Sequence, residues 1–283
     1  MRGYGVSEYC VGLLLALSLA FHAAFSFAAE DPLAAGLSER IVETTPRAGT
    51  YQRSILSRKA PGGEKWLMIS FPGYPAILRI QENEGGIAYQ LKGNFLVRAR
   101  RHLASPEIAV ATLDCPSDEF ANCGDSYRDS DRHVNDVLAQ IDALKAIVGK
   151  DAKIALIGTS YGTVSSQLLA KKLEGRIDAA IHTASITAPR AGLGLPIWRL
   201  DLAQINTRQL IVHHQDDPCK ATYFEPLKKY QGVIPILIVR GAANPRGPAC
   251  EAYTQHGFVG REEAVMKRIG EWLLTDRLGP VIE

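Results

Sequence analysis

Long apolar runs are all but missing from this chain. Val11–Ala20 is a short apolar run, and no other stretch is long and apolar enough to cross a bilayer as a helix, which takes about 20 residues. An excess of charge is missing too: 32 Lys and Arg stand against 30 Asp and Glu, a formal net charge of +2, and the basic residues are scattered. A nucleic-acid footprint, which needs a clustered positive face, is therefore absent. The densest basic patch, Val97-Arg-Ala-Arg-Arg-His102, is expected on the solvent face of a helix, with a polyanion site as the competing reading. No internal repeat or low-complexity tract is present. Cysteine is scarce, with five in 283 residues, and its spacings fit no common zinc-ligand pattern.

The N-terminus reads as an export signal. Arg2 supplies a positive start, Val11–Ala20 a short apolar run, and Ser26-Phe27-Ala28 a small-x-small cleavage site, with cutting after Ala28 or, second, after Ala29. The rival is an uncleaved anchor, for which the run is short. Cys10 precedes the apolar run rather than following it, which argues against a lipoprotein. Removing residues 1–28 leaves residues 29–283 as one domain, periplasmic or secreted, with no stable membrane span. Cys115, Cys123, Cys219 and Cys250 then remain, an even number in a chain bound for an oxidising compartment. Three pairings are possible. Cys115 and Cys123 bracket one short loop and are expected to join.

Hydrophobic periodicity orders the rest. Residues 30–49 are polar and mixed and are expected to cover the outside, with Tyr51–Ser57 as an edge strand. Trp66–Phe71 and Ile108–Leu113 read as buried strands, and Ile77–Ile80 with Ile87–Leu91 as a small hairpin. Asn94 is a cap for a helix over Phe95–Leu103. Val134, Val137, Leu138, Ile141, Leu144 and Val148 recur at helical spacing until Gly149 stops them. Strands follow at Ile154–Ile157, Ala179–Thr183, Gln209–His213 and Val233–Val239, and an amphipathic helix at Glu262–Leu274. Strands and helices alternating at these lengths imply right-handed crossovers and a mostly parallel α/β sheet flanked by helices on both faces.

The chemistry centres on Gly158-Thr-Ser-Tyr-Gly162, a G-x-S-x-G pattern between the Ile154–Ile157 strand and a helix that runs to Gly175. Glycines two before and two after Ser160 relieve crowding at a tight bend, and the helix N-terminus points its free N–H groups at the serine. A serine hydroxyl needs a base, and the base an orienting carboxylate. In a parallel sheet such groups follow the carboxyl ends of strands. Downstream of Ser160, Asp216 and Asp217 follow one strand and His256 follows the last. His213 and His214, adjacent on a strand, point to opposite faces and are read as core or supporting groups rather than as a base or a metal cluster. His182 precedes the acid, and His102 and His133 are expected to face solvent.

The elbow and the Ser–Asp–His order resemble the α/β-hydrolase superfamily, in particular small exported bacterial members with a Phe-Pro-Gly loop and an Asp-Asp-x-Cys acid loop. The likeness covers nearly all of residues 29–283. It implies an α/β-hydrolase fold and makes Asp217, before Pro218, the acid, with Asp216 the alternative. It also implies an oxyanion hole from the Tyr161 amide and a second donor in Phe71-Pro-Gly-Tyr74, either Tyr74 or Gly73. Proline stands here where many members have histidine. A Cys219–Cys250 bridge would tie the acid loop to the histidine loop. With no long insertion between the final strands, no large lid domain is expected.

The reading is a serine hydrolase that takes a small-molecule acyl substrate, an ester or a relative of one, and requires neither metal nor organic cofactor. A peptidase or amidase on the same residues is the alternative, and a non-catalytic binding protein on a hydrolase scaffold is a third. The complete Ser160, Asp217 and His256 set argues against the last.

Overall fold

A computed structural model describes residue 1 and residues 31–283, so the expected signal peptide and its cleavage site fall outside the described residues. The strands are β1 (Ser38–Arg47), β2 (Thr50–Arg58), β3 (Trp66–Phe71), β4 (Gln81–Asn83), β5 (Gly86–Ala88), β6 (Ile108–Leu113), β7 (Lys153–Thr159), β8 (Ala179–Thr183), β9 (Arg208–His214) and β10 (Ile236–Val239). Helices are α1 (Phe95–Leu103), α2 (Asp125–Arg128), α3 (Asp131–Val148), α4 (Gly162–Lys172) and α5 (Glu262–Thr275). Eight strands form one sheet in the order β1-β2-β6-β3-β7-β8-β9-β10. β2 pairs antiparallel with both β1 and β6, and every other pairing is parallel. β4 and β5 make a separate hairpin.

The period of two along β3 decides what each face buries. Leu67, Ile69 and Phe71 enter one core with Val137, Ile141 and Leu144 of α3 and Leu169 of α4. Trp66 and Met68 enter the other with Phe95 and Ala99 of α1 and Met266, Ile269 and Trp272 of α5. Each fully buried Leu or Ile of this kind stabilises the fold by roughly 1.5–3 kcal/mol. Asn94 caps α1 by accepting from the Leu96 amide, and Ser130 caps α3 through the His133 amide. Gly149 ends α3 at φ 139°, as expected. Between β8 and β9 the chain forms only short 3-10 turns at Leu195–Arg199 and Leu202–Gln204, so no large lid is evident.

Several expectations are overturned. Residues 38–47, expected as a polar outer cover, form the ten-residue edge strand β1, so β2, expected at the edge, lies inside the sheet. Its polar residues alternate because one side faces solvent, and its one fully buried apolar side chain is Val42. The hairpin is shifted to Gln81–Ala88, because Asp114 at the end of β6 takes the amides of Leu78 and Ile80 at 2.7 and 3.0 Å out of any ladder. β10 starts at Ile236 rather than Val233, which is exposed.

Two arginines of the α1 basic patch, Arg98 and Arg100, also face inward, since α1 is covered by α5 and by the chain before β1, while Arg101 and His102 stay partly exposed. Arg100 is buried against Glu39 at 2.7 Å, and Arg98 against Glu262 at 2.8 Å. His133 is buried rather than exposed, its Nε2 lying 3.0 Å from Ser165 Oγ. Burial there holds its imidazole well below the ordinary pKa.

Candidate active site

β7 runs into Ser160, whose φ of 51° is left-handed and strained for a residue with a side chain. The bend brings the start of α4 against the end of β3. A Cβ on Gly162 would lie 2.0 Å from the Phe71 carbonyl oxygen, and one on Gly158 would lie 2.4 Å from the Gly162 carbonyl oxygen. Both contacts are far inside van der Waals distance, so only glycine fits at either position. Gly162→Ala is expected to destabilise the protein by about 3 kcal/mol or more, read as a lower urea midpoint at unchanged slope.

The same close approach sets the Phe71-Pro-Gly-Tyr74 loop beside the serine. A Cβ on Gly73 would sit 3.2 Å from Ser160 Cβ and 3.3 Å from Asn94 Nδ2. The amides of Gly73, Tyr74 and Tyr161 donate no hydrogen bond among the described residues. The expected donors are thus unspent and adjoin Ser160. The Tyr74 ring meets that of Tyr161 edge-on at 6.1 Å, and the Tyr161 hydroxyl donates to Asp125 Oδ1 at 2.7 Å.

Asp217 and His256 come together from the turns after β9 and β10. His256 Nδ1 lies 2.9 Å from Asp217 Oδ2, and both residues are buried. Asp217 Oδ1 accepts from the Cys219 amide at 2.9 Å. Asp216 is exposed, and its amide donates to His214 Nδ1. Of the two candidate acids, Asp217 is therefore the one in contact with the histidine. His213 and His214 do turn to opposite sides: His213 Nε2 meets the Thr222 carbonyl at 2.7 Å, and His214 Nε2 the Gly241 carbonyl at 2.9 Å. His182 is buried between Ser166 and Gln209, and burial pushes its pKa down to about 4.

The histidine turn is clamped from three sides. Thr254 Oγ1 accepts from the His256 amide at 3.2 Å. The Cys219–Cys250 disulfide joins the acid turn to the segment before the histidine, and Cys115–Cys123 closes the loop after β6. Arg98 donates to the Gly257 carbonyl at 2.6 Å and to the Gly93 carbonyl. A Cβ on Gly93 would meet the Tyr253 ring at 3.2 Å. Gly73 thus lies beside Ser160 and Asn94, and Gly93 beside Tyr253, three residues before His256. Ser160 Oγ has no hydrogen-bond partner among the described residues, and the ring contacts of His256 are those of Nδ1 with Thr222 and Asp217.

Three contributors were not foreseen: Thr222, whose hydroxyl donates to Asp217 Oδ2 at 2.8 Å, Arg98, and Asp114. Asp114 anchors the segment after the Phe71–Tyr74 loop, and burial raises its pKa to about 6 against the amides that donate to it. Tyr74, Trp198, Tyr223 and Tyr253 are exposed, each in a segment that follows the carboxyl end of a parallel strand.

No family model matches the sequence, and no curated protein does. Solved structures do match in fold. Est1E from Butyrivibrio proteoclasticus is similar at a TM-score of 0.54 and 14% identity, over 83% of this chain and 97% of that one. A cold-adapted esterase from an Arctic intertidal metagenomic library is similar at 0.54 and 15%, over 86% and 95%. Dienelactone hydrolase from Anabaena variabilis is similar at 0.54 and 12%, over 84% and 98%.

Proposed function

We propose that this chain, whose fold is that of the α/β-hydrolases, is an exported serine hydrolase cleaving an ester or related acyl substrate through an acyl-enzyme. The observation that carries the proposal is the buried 2.9 Å contact of Asp217 with His256, brought to the same edge of the sheet as the strained Ser160. Of the fold neighbours, one is a cold-adapted esterase and another a dienelactone hydrolase, which supports carboxylic-ester chemistry. The two disulfides and the N-terminal signal pattern support export of residues 29–283 to the periplasm or beyond.

In this mechanism Asp217 holds the Nδ1–H of His256, leaving Nε2 free to accept the Ser160 hydroxyl proton as Oγ attacks the carbonyl carbon. The carbonyl oxygen becomes an oxyanion facing the Tyr161 amide and an amide of the Gly73–Tyr74 loop, with the α4 N-terminus behind it. His256 then protonates the leaving alcohol, and water drawn in by the same imidazole releases the acid. None of these steps draws on a metal or organic cofactor. The absence of a large lid between β8 and β9 suits a small-molecule substrate entering from solvent.

A fluorophosphonate probe tests the proposal. The wild-type protein is expected to be labelled and Ser160→Ala to remain unlabelled. Folded wild-type protein that takes no label overturns the hydrolase reading in favour of a non-catalytic binding protein. Parallel turnover of ester and aminopeptide substrates separates esterase from peptidase.

A further inference from the structure

We propose that Thr222 is a positioning residue for the acid–base pair, fixing through its hydroxyl which Asp217 oxygen and which His256 tautomer face each other. The inference rests on the catalytic reading of Ser160, His256 and Asp217. Thr222 is fully buried five residues after the acid. Its Oγ1 stands 2.8 Å from Asp217 Oδ2, 3.4 Å from the Cys219 carbonyl and 3.1 Å from His256 Nδ1. A hydroxyl has one proton to give. The nearer, charged acceptor takes it, so the proton goes to Asp217 Oδ2.

Two consequences follow from that choice. A lone pair of Oγ1 is left facing Nδ1, so only an Nδ1–H imidazole fits between Oγ1 and Oδ2. His256 then keeps Nε2 unprotonated, the form a general base needs. The carboxylate, for its part, is held at both ends, Oδ1 by the Cys219 amide and Oδ2 by Thr222 and His256. Turning it away from the imidazole would break all three bonds.

Thr222 is itself held by His213. The Nε2–H of His213 donates to the Thr222 carbonyl at 2.7 Å, and its Nδ1 accepts from the Ser185 amide at 3.3 Å. Both ring nitrogens are spent on backbone, so His213 is a neutral brace between the turns after β8 and β9. It is also the other titratable group facing the pair, with Nε2 3.7 Å from Asp217 Oδ2. Burial pushes it down to about 4, so its charge does not change near neutral pH. His214 is turned away to Gly241 and Asp216.

The hydroxyl disperses part of the Asp217 charge. Without it the carboxylate meets the protonated imidazole with its full charge and holds it more strongly. Thr222→Val is therefore expected to move the acid limb of the kcat/KM profile up by about half to one pH unit. At pH 7 it is expected to lower kcat roughly tenfold, with KM within about twofold. Thr222→Ser is expected to restore the wild-type limb, and Thr222→Cys, a weak donor, to fall between. A side chain serving packing alone would lower the melting temperature and leave the limb in place.

An acid limb in Thr222→Val coincident with wild type overturns the inference. If that variant does not fold, a folded Thr222→Cys protein with an unmoved limb overturns it instead. Wild-type protein that takes no fluorophosphonate label sinks the hydrolase reading itself, whereas a labelled protein with an unmoved limb sinks only the role of Thr222.

Discussion

Ser160→Ala and His256→Ala are each expected to lower kcat for a p-nitrophenyl ester by on the order of 10⁴- to 10⁶-fold, and the double variant to be little worse than either. The near-equality is the informative part. If the two residues acted independently, their losses would multiply, and the double variant would fall below any measurable rate. A serine without its base is a poor nucleophile at neutral pH, and a base with no hydroxyl to deprotonate has no role in acyl transfer, so removing the second group costs little more. The residual rate would come from the amides beside Ser160 and from substrate binding. A His256→Ala variant with near-normal turnover would refute the base assignment and return attention to His213 or His182. Both are buried with their ring nitrogens engaged, so neither could replace His256 without rearrangement.

Most of the sheet was legible because its strands are buried on both faces. Continuous apolar runs such as Trp66–Phe71 and Ile108–Leu113 have few other outlets, and the structure keeps both with the expected bounds. β1 was hidden because an edge strand with one side toward solvent needs few apolar residues. Its polar alternation reads as loop until β2 is seen to pair with it. The inward turn of Arg98 and Arg100 was hidden for a different reason. Burying a guanidinium is feasible only where a carboxylate meets it, and the carboxylates, Glu262 and Glu39, arrive from elements distant in sequence. His133 carried a signal that was available. Positions 133, 137, 140, 141, 144 and 148 share one helical face, all of them buried, so the apolar stripe of α3 already included the histidine.

The elbow was the most legible part of the candidate site because its constraint is local. Two glycines, a strand and a helix must adjoin, and all four are contiguous in the chain. Asp217 and His256 were found by a topological argument about strand ends, and choosing between Asp216 and Asp217 needed more than position. Thr222 left no trace, since a threonine five residues after an aspartate is ordinary. Its part depends on the turn that the Cys219 amide and the His213 brace impose. What sequence pattern carries, then, is the candidate residues; what it omits is the set of hydrogen bonds that holds them.

Asp217→Asn is expected to lower kcat by about 10³- to 10⁴-fold, and Asp216→Asn to leave it within about twofold. The contrast follows from how each carboxylate is placed. Asp217 accepts from the Cys219 amide, the Thr222 hydroxyl and His256 Nδ1, and it is shut off from water. An asparagine has one oxygen for these three donors. Whichever way its amide turns, an N–H₂ group meets either the Cys219 N–H or the Thr222 and His256 pair. If the N–H₂ faces His256, the imidazole must accept at Nδ1 and carry its proton on Nε2, where it can no longer take the serine proton. If it faces Cys219, two donors are opposed and the acid turn is strained. Asp216 is exposed and only its backbone amide is engaged, so trading its carboxylate for an amide removes a solvated charge and no contact to His256. Steady-state kinetics on the two variants, with far-UV circular dichroism to show that both are folded, decides the matter. A large loss in Asp216→Asn with Asp217→Asn active would reverse the assignment of the acid.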